Sequence, residues 1–414
     1  MVSGLGVVVL GVAMAGLAVG AEPEELRLVT ARDAALTAVV NHPGLRAARR
    51  LIAEAEGRSF ASGRLSNPEL EVEMAGGQGS EGRVEAGVMQ RFPLTSRLRL
   101  ERELSKLEIE AARLEVAEQE RRVAAEAGEA FINLVGLREL IALKVEEGSL
   151  ARRFSESLKR RVAEGWASTL DAERSDLVVT RIELERSELK AQEIAAAGEF
   201  ATRLGLAAEA IELPDRLDPA PSFPARRQAI DRTDLRLARL AAESAEVGVS
   251  LAKAERWEDV GLGVFVEGER FRDEPEGIEP EALVGMRVNI PLPLWSNGTG
   301  KVMENEARAG RRSAEVEALQ LAIRNEIDAA YREMQLRYDA ARSAGKILLP
   351  AARRQVESTK RAYDRGEVEL ESVFRASERL SEMEAIALDA RKGFHLAMIR
   401  WLTAVGGLTP ENEQ

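Results

Sequence analysis

The sequence predicts a mainly α-helical chain with a small β part, long coiled-coil helices plus two β-hairpins, built as one ~200-residue unit used twice. Three observations carry this. From Ser96 to Glu164 there is no proline, and Leu100, Leu104, Leu107, Ala111 and Leu114 recur at spacings of four and three, a coiled-coil seam. Two stretches interrupt the helical pattern with period-two alternation, the mark of strands. The chain also repeats itself: Leu45-Arg46-Ala47-Ala48-Arg49 answers Leu235-Arg236-Leu237-Ala238-Arg239, Phe92-Pro93-Leu94 answers Ile290-Pro291-Leu292, and Phe131 answers Tyr331.

The elements follow in order. Residues 1–20 carry no charge and give way to Ala21-Glu22-Pro23-Glu24-Glu25, so 1–21 is expected to be a secretory signal peptide cleaved after Ala21. An N-terminal membrane anchor is the alternative. The first repeat spans 22–213, with a helix over 31–65 and a hairpin over 68–92. In the hairpin Leu70, Val72 and Met74 oppose Glu69, Glu71 and Glu73, and Val84, Ala86 and Val88 continue the apolar face. A long helix over 96–164 and a returning helix over 166–206 complete the unit. Prolines 214, 219, 221 and 224 mark an extended linker, 214–232. The second repeat, 233–407, has a hairpin over 258–291, a long helix over 298–365, a helix over 367–407, and a tail 408–414. Its hairpin alternates Val260, Leu262, Val264 and Val266 with Gly261, Gly263 and Phe265, followed by a polar loop near Glu269 to Glu281.

Lengths make these elements a column. The stretch 96–164 has 69 residues, about 100 Å at ~1.5 Å per residue. Two shorter helices stacked end to end match it, with a hairpin at one end and a tight glycine reversal at the other. Four strands cannot close a barrel, so their open edges and apolar outer face demand further copies.

Composition excludes much. With 70 Asp and Glu against 58 Lys and Arg the net charge is −12, which repels nucleic acid. No cysteine removes disulfides, thiolate nucleophiles and zinc clusters, and two histidines, His42 and His395, leave no ligand pattern for a resident metal. No cofactor and no enzymatic activity are expected, since the abundant carboxylates lack a pocket-forming context.

The chain resembles the TolC-family outer-membrane factors, and within them the heavy-metal, CzcC-like branch. The resemblance rests on Asn41-His42-Pro43-Gly44-Leu45-Arg46-Ala47, on Ile290-Pro291-Leu292-Pro293-Leu294-Trp295-Ser296-Asn297-Gly298, and on the paired reversals at Gly165 and Gly366 with Leu170-Asp171 and Leu370-Glu371 downstream. It implies a homotrimer in which four strands per chain form a 12-stranded outer-membrane β-barrel continued by a periplasmic α-helical barrel. Such a protein is the exit duct of a tripartite efflux pump, docked to a periplasmic membrane-fusion adaptor and an inner-membrane RND-type transporter. Many members carry a lipidated N-terminal cysteine; here the barrel alone would hold the protein in outer-membrane lipid.

Site residues follow from that resemblance and from residue type. Pro93, Pro291 and Pro293 would end strands and swing the chain into helix. Glu69, Glu71 and Glu73 would line the pore, either attracting cations or neutralised by Arg83 and Arg287. Arg161, Gly165, Leu170, Asp171, Gly366 and Leu370 would meet the adaptor. Aligned on Gly366, the family's acidic constriction falls on Ser372 and Arg375, so Glu369 and Glu371 stand in for it as gate residues, with Arg365, Arg375 or a cation needed to offset their repulsion. Duct for metal cations, duct for drugs or secreted polypeptides, and soluble periplasmic coiled-coil scaffold are the readings left open.

Overall fold

Thr30 opens the first helix with a capping box: its hydroxyl accepts from the Asp33 amide and the Asp33 carboxylate accepts from the Thr30 amide. The computed structural model describes residues 26–76, 82–208, 211–219, 223–225, 232–273, 277–295 and 297–407. The expected signal peptide and tail, and parts of the first hairpin turn and of the linker, lie outside the described residues.

The expected helix over 31–65 is three pieces, α1 (Ala31–Asn41), α2 (Pro43–Ala48) and α3 (Arg50–Ala61). Pro43 has no amide hydrogen and occupies the first turn of α2, where none is required, and His42 Nδ1 accepts from the Gly44 amide at 3.1 Å. Strands β2 (Glu69–Gly76) and β3 (Gly82–Phe92) form the first hairpin, and α4 (Arg97–Ala163) runs 67 residues without a break. A reversal leads into α5 (Thr169–Leu204), which ends on left-handed Gly205. Two-residue strands β1 (Leu26–Arg27) and β4 (Ile211–Glu212) pair in parallel, a contact the sequence pattern does not announce.

The second half repeats the plan with α6 (Thr233–Ala254), β5 (Val260–Asp273), β6 (Gly277–Asn289), α7 (Thr299–Ser343), α8 (Leu349–Asp364) and α9 (Leu370–Val405). Two differences from expectation stand out. The polar stretch after Val266 is strand, paired through Asp273↔Gly277, because the hairpin continues past its apolar segment and polar residues there still satisfy the ladder. The long helix over 298–365 is broken by a π-turn, Ala344–Leu348, where the Leu349 amide reaches back to the Ala344 carbonyl. Pro350 follows at once. In regular α-helix its ring would press on the Lys346 carbonyl, and the wider turn relieves that clash.

The four-stranded sheet has the order β2-β3-β5-β6, all antiparallel, with β2 and β6 as unpaired edges. Arg97 in the first turn of α4 donates to Asp259 and to Glu101, each at 2.6 Å, fixing the long helix beneath β5. The cores lie in mid-column. Phe131, about 50 Å along α4, meets Phe200 at 6.4 Å, and its repeat counterpart Tyr331 meets Trp401 at 5.9 Å. Around the first pair pack Leu134, Val135, Leu204 and Ile399, and around the second Ile323, Met334 and Phe394, all buried. His395 is buried beside them, its Nε2–H donating to the Asp218 carbonyl at 2.9 Å.

Candidate functional site: a two-faced sheet and a double tip

Pleat and register divide the sheet into two faces. One carries Leu70, Val72, Met74, Val84, Val88, Leu262, Val264, Val266, Val284, Met286 and Val288, every one exposed. Eleven large apolar side chains facing solvent on one surface cost too much for a water-soluble sheet.

The other face carries Glu69, Glu71, Glu73, Arg83, Glu85, Arg91, Glu267, Glu269, Glu281 and Arg287. Arg287 bridges Glu71 at 2.9 Å and Glu85; Arg83 bridges Glu85 and Glu267, both at 3.0 Å; Arg91 meets Glu69 at 3.2 Å. Arg83 and Arg287 thus share Glu71 with the buried Glu85 and Glu267 and offset two of the three charges; sequence reasoning passed over Glu85 although it falls on the same parity as Arg83. Glu73, Glu269 and Glu281 form no ion pair among the described residues. Within this face Phe265 lies across two glycines. A Cβ on Gly285 would sit 2.7 Å from its Cε1, one on Gly87 2.8 Å from its Cβ, and Arg287 stacks over its ring at 5.1 Å.

Pro93 follows β3 directly, and Pro291 and Pro293 follow β6. After them Gly298 takes a left-handed φ of 70° as the N-cap of α7, and the Asn297 side chain accepts from the Thr299 amide at 3.1 Å. Around these turns Leu94, Ile290, Leu292, Leu294 and Trp295 are exposed.

At the opposite end of the column stand two reversals with one backbone design. Gly165 and Gly366 are left-handed at φ 77° and 75°. The Trp166 amide donates to the Arg161 carbonyl at 2.7 Å and the Glu367 amide to the Ala362 carbonyl at 2.9 Å, the double-bonded helix end that requires a residue free to take positive φ. Arg161, Leu170 and Asp171 surround the first; Leu170 is exposed in the first turn of α5, and Ser168 caps that helix through the Leu170 amide. At the second, Arg365 donates to Glu367 at 2.6 and 2.9 Å, which holds the Glu367 carboxyl below its ordinary range, and Leu370 opens α9. Glu369 is the N-cap of α9, Ser372 lies exposed in its first turn, and Glu371 pairs with Arg375 one turn on. Above the tips the two hairpins touch: Phe154 of α4 stacks on Phe374 of α9 at 4.3 Å, and Arg181 of α5 approaches Glu378 at 3.5 Å. No helix among the described residues is long and apolar enough to cross a membrane, and none of them forms a group of three or more acidic or histidine residues able to hold a metal.

A sheet with a solvent-exposed apolar face at the head of a long helical column is a shared architecture. Residues 227–407 match the family model "Outer membrane efflux protein". Over those residues the chain is similar to the outer membrane efflux proteins. The cobalt-zinc-cadmium resistance protein CzcC of Cupriavidus metallidurans is 23% identical over 319 residues, covering 72% of this chain and 70% of that protein. The fold matches CusC at a TM-score of 0.74, with 15% identity over 91% of this chain and 92% of that one. It matches VceC of Vibrio cholerae at 0.71, with 17% identity over 91% and 96%. These relatives and structural neighbours are outer-membrane efflux channels that extend into the periplasm. Family members are channels of tripartite pumps, not enzymes; they form trimers and work with adaptor and transporter partners.

Proposed function

We propose that three copies of this chain close a 12-stranded barrel through the bare edges of β2 and β6, and that the trimer is the exit duct through which heavy-metal cations leave the cell. The observation that carries the proposal is the sheet itself: two unpaired edges, one apolar face and one charged face above a column ~100 Å long. Closure puts the apolar face in lipid and the charged face in the lumen. On the lumenal face, among the residues whose side chains are described, seven carboxylates confront three arginines, so the bore is net negative and concentrates cations. Glu69, Glu71, Glu85 and Glu267 share the three arginines, which leaves one charge of the excess there, and Glu73, Glu269 and Glu281 supply the other three.

The remaining assignments rest on this reading. The units 22–213 and 233–407, joined by 214–232, each supply one hairpin to the barrel and one to the tunnel. Pro93, Pro291 and Pro293 turn the chain from lipid into the periplasm. Arg365, Glu369, Glu371, Ser372 and Arg375 surround the closed tunnel end, while Arg161, Gly165, Leu170, Asp171, Gly366 and Leu370 meet a membrane-fusion adaptor that links the duct to an RND-type transporter. Metal as cargo is supported by the similarity to a cobalt-zinc-cadmium resistance protein. The test is deletion of the gene followed by growth on cobalt, zinc, cadmium and a drug panel, with the trimer band followed in outer-membrane fractions. Loss of metal tolerance with restoration by the intact chain supports the reading. Unchanged metal tolerance with lost drug tolerance moves the cargo to drugs.

A further inference from the structure

Where the sheet meets the helices, its charged face borders a cavity of about 600 Å³, a volume within the range of small-molecule sites. One wall is strand: Met89 and Arg91 of β3, Gly261 of β5 and Asn289 of β6, all on the side that carries Glu69 and Arg287. The other wall is the link between α6 and β5, which supplies Glu255, Trp257, Glu258 and Asp259, together with Arg97 of α4. Most of this charge is already committed. Arg97 donates to Asp259 and Glu101, Arg91 to Glu69, and Lys301 to Glu255. Arg256, next to Trp257 in the chain, donates instead to the Asn297 carbonyl at 2.8 Å and the Thr299 hydroxyl at 3.3 Å. Glu258 is left over, exposed and without a hydrogen bond or ion pair among the described residues. Two soft groups share the cavity with that carboxylate. The Trp257 side chain is 50% exposed, with no ring or cation–π partner among the described residues. The Met89 thioether is seated on Gly261, where a Cβ would come within 2.7 Å of its Sδ.

We propose that this cavity is a transit station for organic cations: a quaternary ammonium or phosphonium centre with apolar arms rests against Trp257 and Met89, its charge facing Glu258. An indole face beside an uncommitted carboxylate selects a cation with an apolar body. A metal ion is served badly there. Hard cations draw about six oxygens around themselves, whereas Glu255 and Asp259 are held by Lys301 and Arg97, and no group of three metal-binding side chains forms among the described residues. The proposal rests on the duct reading above, which makes the charged face the wall of the bore, and adds a second class of cargo to it. Three chains would set three stations in a ring where the strands end and the helical tunnel begins. One uncommitted carboxylate per station keeps binding weak enough for release, the condition for any site on a conduction path.

The test uses the purified full-length trimer and three probes of similar bulk and different charge: tetraphenylphosphonium, neutral triphenylphosphine oxide and tetraphenylborate. Binding is read by equilibrium dialysis and by quenching of tryptophan emission, and passage by ionic current in a planar bilayer, with the heat-modifiable trimer band as the folding control. Tetraphenylphosphonium should bind about tenfold more tightly than the other two, saturate at one per chain, quench Trp257 and interrupt the current. Glu258→Gln and Trp257→Ala should each weaken it about tenfold. Trp257→Phe should keep most of the affinity and lose the quench, and Trp295→Phe, at the exposed turn after β6, should keep both. Cadmium chloride should displace the probe no better than sodium chloride of equal ionic strength. Equal binding of the three probes, full affinity in either Glu258→Gln or Trp257→Ala, or displacement specific to cadmium overturns the station and leaves the duct standing. A folded trimer that binds tetraphenylphosphonium at Trp257 yet passes no ionic current overturns the duct instead, and one that does neither overturns both.

Discussion

Replacing Val264 by Arg tests which face of the sheet meets lipid. Register places Leu70, Val88, Val264 and Met286 in one lateral row across all four strands, and each is exposed on the apolar face. Along β5 the apolar run from Val260 to Val266 rises about 20 Å at ~3.4 Å per residue, and Val264 stands close to its middle. A guanidinium there sits near the bilayer midplane, where it costs ~2–4 kcal/mol. That is roughly 30- to 700-fold in the folding equilibrium of each chain, at about 1.4 kcal/mol per tenfold. The assay is folding into phosphatidylcholine vesicles across a urea series, read by the heat-modifiable trimer band. Glu281→Arg is the companion, a larger charge change (two units against one) on the opposite face, and should still fold within about 1 kcal/mol of the parent. Equal folding of Val264→Arg and the parent, or an equal deficit in Glu281→Arg, refutes the face assignment.

Further outcomes follow from other contacts. Gly285→Val should push Phe265 out of its bed and cost ~1–3 kcal/mol in the same folding series, and Phe265→Leu in addition should recover part of it. In planar bilayers Glu73→Gln, Glu269→Gln and Glu281→Gln together should lower the cation-to-anion permeability ratio, whereas Glu71→Gln should do so less because Arg287 already offsets that charge. Arg375→Glu should raise open conductance or open probability, and unchanged values in it and in Glu371→Lys would discard the gate assignment. Burial first, then the nearby Arg391, hold His395 below the ordinary histidine value of 6.5, against the opposing pull of the Asp218 carbonyl. Neutral His395 therefore favours the folded chain, and that contribution falls away as pH drops below 6.5 and through the lower folded value. Thermal unfolding should show the loss in the parent and a flatter profile in His395→Gln.

The long elements were legible because their periods are strong: the seam from Leu100 to Leu114 lies within one unbroken helix, and the alternation from Glu69 to Met74 marks a real strand. What escaped was set by geometry that residue type alone does not carry. The π-turn depends on how Pro350 is accommodated several residues before it. The strands beyond Val266 lose their apolar rhythm yet keep their ladder. On the charged face, parity placed Glu69, Glu71 and Glu73 together, but which carboxylates an arginine claims depends on cross-strand distance. Glu85 and Glu267 became visible only once β3 and β5 were adjacent.

The π-turn gives the chain two kinds of strut. Helix α4 is bonded turn upon turn along its whole length and resists bending as a single beam. The matching strut of the second half is jointed at Ala344–Leu348, where Gly345 has open space around its Cα and Pro350 withholds an amide from the ladder. A sideways force applied at the tips therefore meets a stiff member beside a compliant one, and the deflection concentrates below the joint, in α8 and the part of α9 it accompanies.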